Sequence, residues 1–212
     1  MKAYDKKAQD RKNRAFILKE ARNLLEYSDL AWLCTLHHSE HFGRLRLERH
    51  YLGFQDTYDE YKRRYLAADD STILINRTDT GVLKMHLRQF GVDYDALVDE
   101  SYLDGVVGVY GRDAELQQKR AIVMREALPV MEHANLTHLI TLHDNEGHGK
   151  ERMERVFLRF QRDYNRFKRN YLSVGACTVS DALSKKLKAD LRGIGLDYDA
   201  LVERILDGYK KE

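Results

Sequence analysis

LHHSEHFGRLRLERHYLGFQDTYDEYKRRYL (residues 36–66) recurs in altered form as LHDNEGHGKERMERVFLRFQRDYNRFKRNYL (142–172), and this offset of 106 residues decides how the chain is read. Between 31–66 and 137–172, 17 of 36 positions are identical, among them Leu36/Leu142, His37/His143, Glu40/Glu146, Gly43/Gly149, Arg49/Arg155 and Tyr65/Tyr171. Upstream, Tyr4/Tyr110, Arg14/Arg120, Ala15/Ala121 and Glu20/Glu126 keep the offset; downstream, GVDYDALV (91–98) meets GLDYDALV (195–202) after a two-residue deletion. A tandem duplication is the simplest cause, with one unit over 1–106 and the other over 107–212. A residue kept in both copies serves the unit's fold or an activity that both share.

Within each unit the periodicity predicts about four helices and a short terminal one, hence an all-α fold. The clearest pattern is Leu47, Tyr51, Phe54, Tyr58, Tyr61, Tyr65, spaced 4, 3, 4, 3, 4 and repeated as Met153, Phe157, Phe160, Tyr164, Phe167, Tyr171. Such a stripe suits a packed amphipathic helix better than a base-stacking platform. Before it, one helix is predicted over about 10–27, with Phe16, Ile17, Ala21, Leu24 and Leu25 on one face, and another over about 28–40, with Ser28 and Asp29 as N-caps. Pro129, opposite Asn23, predicts a break or kink in the second copy. Gly43 and Gly149 are placed at sharp turns. A fourth helix carries Leu83, Leu87 and Phe90, or Leu183, Leu187 and Leu191, and ends near Gly91 or Gly195; Asp93 and Asp197 then cap DYDALV. The copies are expected to form one pseudo-twofold body, like a homodimer fused by duplication, rather than two separate bundles.

Composition agrees with long solvated helices: one proline, 13 glycines and a 33% charged fraction. The net charge of +2 is the difference between 36 basic and 34 acidic side chains, so charged partners must be sought in local patches. Cys34 and Cys177 occupy non-equivalent positions without CxxC spacing, which points to buried thiols in a reducing compartment. MKAYDKKAQDRKNR (1–14) lacks a signal peptide's apolar core, and no apolar run approaches the roughly 20 residues of a membrane span. The expected location is the cytoplasm.

The richest local patch is basic. Arg152, Arg155, Arg159, Arg162, Arg166 and Arg169 recur at 3, 4, 3, 4, 3, lining one side of a helix for about 25 Å at about 1.5 Å per residue. The equivalent line in the first copy, Arg46, Arg49, Gly53, Asp56, Glu60, Arg63, is broken by two acids. Residues 149–171 hold eight basic and three acidic side chains, net +5; residues 43–65 hold six and four, net +2. With Arg44, Arg46, Arg49 and Lys150 this ridge is the candidate site for nucleic acid or another acidic partner, since arginine forks onto phosphate. Internal pairing with Glu151, Glu154 and Asp163 is the plainer alternative. Basic residues after Gly43 and Gly149, at helix starts that favour anions, hint at a bound negative partner.

His37, Glu40 and His41 spell H-x-x-E-H, an inverted zinc-peptidase pattern. The second copy offers His143, Glu146 and His148, so the second histidine has moved, and no third ligand follows. A helix-end His37 with Glu40 paired to an arginine is the favoured account. Neither a phosphate-binding glycine loop nor a nucleophile elbow is present. No cofactor or metal is expected.

The pattern L-H-x-x-E-x-x-G-R/K-x-R at 36–46 and 142–152, followed by the aromatic helix and DYDALV, resembles small, uncharacterised helical proteins of phages and prophages of Gram-positive bacteria, which read LHDxFGFGKKR. Glu40 and Glu146 replace the first Phe of that pattern, and the second is kept as Phe42 but becomes His148. The resemblance implies no activity but a viral or mobile-element origin, and such elements often encode small proteins that regulate transcription or block host defence. Three readings follow: a non-enzymatic protein engaging nucleic acid or a nucleoprotein complex through the ridge; a protein-binding anti-defence inhibitor, for instance an anti-CRISPR; and a metal-dependent hydrolase centred on His37 and Glu40.

Overall fold

The computed structural model describes residues 3–65, 77–99, 114–171 and 181–209, which are all-helical. They comprise α1 (Ala3–Glu40), α2 (Arg44–Tyr65), α3 (Arg77–Gln89), α4 (Tyr94–Leu97), α5 (Ala114–Asp144), α6 (Lys150–Tyr171), α7 (Asp181–Gly193) and α8 (Tyr198–Tyr209). Among them no helix is long and apolar enough to cross a membrane.

Two expected breaks are absent. Residues 28–40 continue α1 without a break, and Ser28 and Asp29 are buried inside that helix rather than capping a new one. Likewise α5 runs through Pro129. The reason is burial. Every residue of 27–36 is buried, and so is every residue of 130–142 except the half-buried Glu132. A helix enclosed on all sides shows no amphipathic period, and its tertiary contacts outweigh a local capping preference or one missing N–H. Phe16, Ile17, Ala21 and Leu24 lie in α1, their side chains outside the described set, as are Cys177 and the side chains of Tyr65 and Tyr171.

The turns also differ in detail. The left-handed residue between α1 and α2 is His41 (φ 55°), and its match between α5 and α6 is Gly147 (φ 66°), two positions ahead of the glycines expected to turn. Gly43 and Gly149 instead cap their helices with backbone carbonyls, which accept the N–H groups of Arg46 and Leu47, and of Arg152 and Met153. Gly91 and Gly195 do end α3 and α7 in left-handed conformation, with Val92 N–H returning to Leu87 and Leu196 N–H to Leu191. Asp197 caps α8 through the N–H groups of Asp199 and Ala200, whereas Asp93 precedes α4 with no side-chain cap.

Each long helix is embedded in the other half of the chain. α1 packs mainly on α5, α6 and α7, and α5 on α1, α2 and α3. Contacts recur in pairs at the sequence offset. Trp32 stacks on Phe160 at 4.3 Å and His138 on Phe54 at 3.9 Å. Tyr27 meets Tyr164 at 4.5 Å, as His133 meets Tyr58 at 4.7 Å. Lys188 bridges Glu26 and Asp199, as Lys84 bridges Glu132 and Asp95. The aromatic stripe forms much of this core: Tyr51, Phe54, Met153, Phe157, Phe160, Tyr164 and Phe167 are buried. Its rings are therefore packing groups, not a stacking platform.

Candidate polyanion-binding face

The outer side of α6 follows from its inner side. With residues 153, 157, 160, 164 and 167 turned into the core, 155, 159, 162 and 166 must face outward, and all four arginines there are exposed. Arg155 keeps 66% of its side-chain surface. The side chain of Arg169 lies outside the described set.

Carboxylates lie beneath this line. Glu40, at the end of α1, is almost wholly buried; it accepts from Arg152 Nε at 2.6 Å and has Arg155 at 3.7 Å. The matched pairs across the molecule are Arg46 with Glu146 at 2.7 Å and Arg49 with Glu146 at 3.4 Å. Burial would raise the pKa of Glu146, but the hydrogen bonds and charges of Arg46 and Arg49 hold it below its ordinary value. The negative partner expected at the start of α2 and α6 is thus supplied by the chain itself, from the opposite half. The expected pairing of Glu40 to an arginine is thus present, but the sequence did not show that the arginine comes from the opposite half.

Further along, Asp163 serves both Arg159 (3.0 Å) and Arg166 (3.2 Å). Of the other acids considered, Glu154 lies near Lys150 at 3.9 Å, and Glu151 forms no ion pair among the described residues. Arg44 lies 3.8 Å from Glu48. Arg162 forms no ion pair among the described residues and is exposed.

Beside this face opens a cleft of about 530 Å³, bounded by Ser39 and Glu40 on α1 and by α6. Glu151 and Glu154 line one end, Arg159 and Arg162 the other, with Arg155 and Leu158 between. Leu158 is 38% exposed, and Leu52, its equivalent on α2, is 42% exposed.

The H-x-x-E-H residues are otherwise engaged. His37 Nδ1 lies 2.9 Å from the Phe42 carbonyl, Glu40 is held by arginine, and His41 is exposed at the turn. Among the described residues no three His, Cys, Asp or Glu side chains are grouped to hold a metal. Cys34 is buried, and burial pushes its thiol up to about 12, which suppresses the thiolate.

No protein-family model matches the chain, and neither the curated proteins nor the solved structures yield a match.

Proposed function

We propose that this is a non-enzymatic binding protein that engages nucleic acid, free or within a nucleoprotein complex, through the outer face of α6. One observation carries the reading: Arg155, Arg159, Arg162 and Arg166 stand exposed in one line. Glu40 lies beneath Arg155, and Asp163 beneath Arg159 and Arg166; Arg159 donates to Asp163 at 3.0 Å, so that guanidinium is oriented before a phosphate arrives. Arg162, which forms no ion pair among the described residues, is the least neutralised arginine of the line there.

The pairwise contacts at the 106-residue offset support a duplicated, intertwined pseudo-twofold body, in which the second copy specialised while the first lost its basic line at Gly53, Asp56 and Glu60. Phage or mobile-element origin and a host-cytoplasm location belong to the same proposal and rest on the motif resemblance. The exposed leucine kept at Leu52 and Leu158 supports a second reading, a protein partner such as a host-defence component.

Fluorescence anisotropy with labelled double-stranded DNA, single-stranded DNA and RNA at several salt concentrations tests the first reading. Engagement of about three phosphates gives a salt slope of about −2 to −3 in log–log form. Arg162→Glu is the informative variant, because reversing Arg152 or Arg155 would also strand the buried Glu40. Binding that ignores salt, or survives Arg162→Glu undiminished, removes the ridge from nucleic-acid recognition and directs the search to a protein target.

A further inference from the structure

The cleft beside α6 lies between the two halves of the chain, with Ser39 and Glu40 of α1 on one side and α6 on the other. At the matching place, where α5 faces α2, Asn145 stands for Ser39, and its side chain fills the position that a Cβ on Gly53 would take. Ser39 is smaller and its hydroxyl donates to the Thr35 carbonyl at 2.7 Å, which draws it back against its own helix. The exposed lining has diverged as well: Glu151, Arg159 and Arg162 replace Leu45, Gly53 and Asp56, while Arg46/Arg152, Glu40/Glu146 and Phe54/Phe160, which knit the halves together, are the same. Divergence at exposed positions, around a space whose counterpart over Gly53 is filled by Asn145, marks a ligand site on the α6 side.

The chemistry of the lining narrows the ligand. Glu151, at the first turn of α6, and Arg162 are charges without ion-pair partners among the described residues, and they sit at opposite ends of the same cleft. Eleven residues of helix separate them by about 16 Å. Leu158 supplies an apolar surface between them. A ligand that satisfies all three has an anionic end, a flat apolar body and an edge of hydrogen-bond donors. Nucleotides have this form. Among the bases, guanine alone offers two adjacent N–H donors, N1–H and N2–H, to a single carboxylate. Adenine and cytosine set a ring-nitrogen acceptor beside their amino group, and uracil flanks its one N–H with carbonyls. In a duplex that edge is closed by pairing, so the accessible form is unpaired.

We infer that the Ser39–α6 cleft takes an unpaired guanine nucleotide, its Watson–Crick edge on the Glu151 carboxylate, its base against Leu158 and its phosphates along Arg155, Arg159 and Arg162. The inference rests on the proposed nucleic-acid role of α6 and adds to it a base, a strand state and a stoichiometry of one per chain. The same chemistry is available at a single-stranded segment and in a free nucleotide.

The test compares labelled oligothymidylate with the same oligomer carrying one central guanosine, for the full chain and for Glu151→Gln, with helicity checked by circular dichroism and free GMP titrated by calorimetry. A bidentate carboxylate–guanine contact makes the guanosine strand bind about tenfold more tightly, at one site per chain. Glu151→Gln, which sets an amide group against the base in place of two acceptor oxygens, abolishes that preference, so that both strands bind alike. Equal binding of both strands by the full chain overturns the guanine site and leaves the arginine face standing. Failure of both strands with GMP still bound, lost in Glu151→Gln, keeps the site, assigns it to a free nucleotide and overturns the strand reading. If strands and GMP all fail, the guanine site falls, and the arginine face is decided by its binding to duplex DNA and RNA.

Discussion

Trp32 and His138, 106 residues apart, stack on one another with ring centroids 4.9 Å apart and planes inclined by 23°, each also stacked on an aromatic residue of α6 or α2. Two residues at the 106-residue offset thus meet in the buried interior. Trp32 is fully buried and donates its indole N–H to Asn135 Oδ1 at 2.9 Å. Trp32→Ala should cost about 3–5 kcal/mol, from lost burial, the cavity and the lost hydrogen bond to Asn135 Oδ1. Urea unfolding followed by circular dichroism reads this; a loss below 1 kcal/mol would mean that the centre is not closely packed.

The same centre sets the response to pH. Tyr51 donates to Asp29 Oδ2 at 3.3 Å, His138 Nε2 lies 3.5 Å from Asp29 Oδ1, and His138 Nδ1 lies 3.1 Å from His50 Nε2. Burial raises the Asp29 carboxyl from 3.8 to about 8 and lowers His138 and His50 well below 6.5. A protonated Asp29 facing neutral imidazoles follows. Because its folded pKa is raised, the contribution of Asp29 is full below pH 3.8 and is lost as pH rises through about 8. The histidines act oppositely: their contribution is present above pH 6.5 and lost as pH falls below it. Melting temperature should therefore decline on both sides of a maximum near pH 6. Asp29→Asn should flatten the limb between pH 6.5 and 9 while leaving the acid limb; an unchanged alkaline limb would show that Asp29 is ionised in the fold.

Glu146 and Arg46 offer a direct measure of what holds the halves together. Glu146 retains 2% of its side-chain surface and Arg46 36%, so the pair is half shielded from water. Glu146→Ala leaves Arg46 and Arg49 without their acceptor and should cost about 2 kcal/mol, screened below the cost of breaking a fully buried pair. A double-mutant cycle with Arg46→Ala in chemical denaturation should return a coupling of about 1 kcal/mol, and none if the two are merely adjacent.

The sequence made some of this legible and hid the rest for physical reasons. In α2 and α6 one face is wet and one dry, so the 4, 3, 4 spacing of Tyr51, Phe54 and Tyr58 reads directly as a helix. α1 and α5 are enclosed over 27–36 and 130–142, so no period survives there, and local signals at Ser28, Asp29 and Pro129 gained undue weight. The arginine line was visible as a pattern. That Glu40 pairs with an arginine was legible too, but not that the arginine is Arg152, because the two meet only when α1 lies across α6. The cleft was hidden for a similar reason, since it depends on Ser39 standing where the other half has Asn145.

That last difference can be reversed. Asn145→Ser should reopen the space over Gly53 with little effect on stability, and Gly53→Ala added to it should gain up to about 1 kcal/mol as an ordinary helix interior substitution. Gly53→Ala alone must displace the Asn145 side chain and should gain less. Melting temperatures of the three variants check the order; equal gains with and without Asn145→Ser would mean that Asn145 does not occupy that space.

The embedding of each long helix in the opposite half has a consequence for biosynthesis. When the ribosome has released α1 and α2, the surfaces that will cover residues 27–36 have not yet been made: α5 ends at Asp144, α6 at Tyr171 and α7 at Gly193. The nascent first half therefore waits with its most apolar helix uncovered until nearly the whole polypeptide has emerged. Folding of this all-helical protein is governed by late, distant closure rather than by the rapid local docking usual for helical proteins.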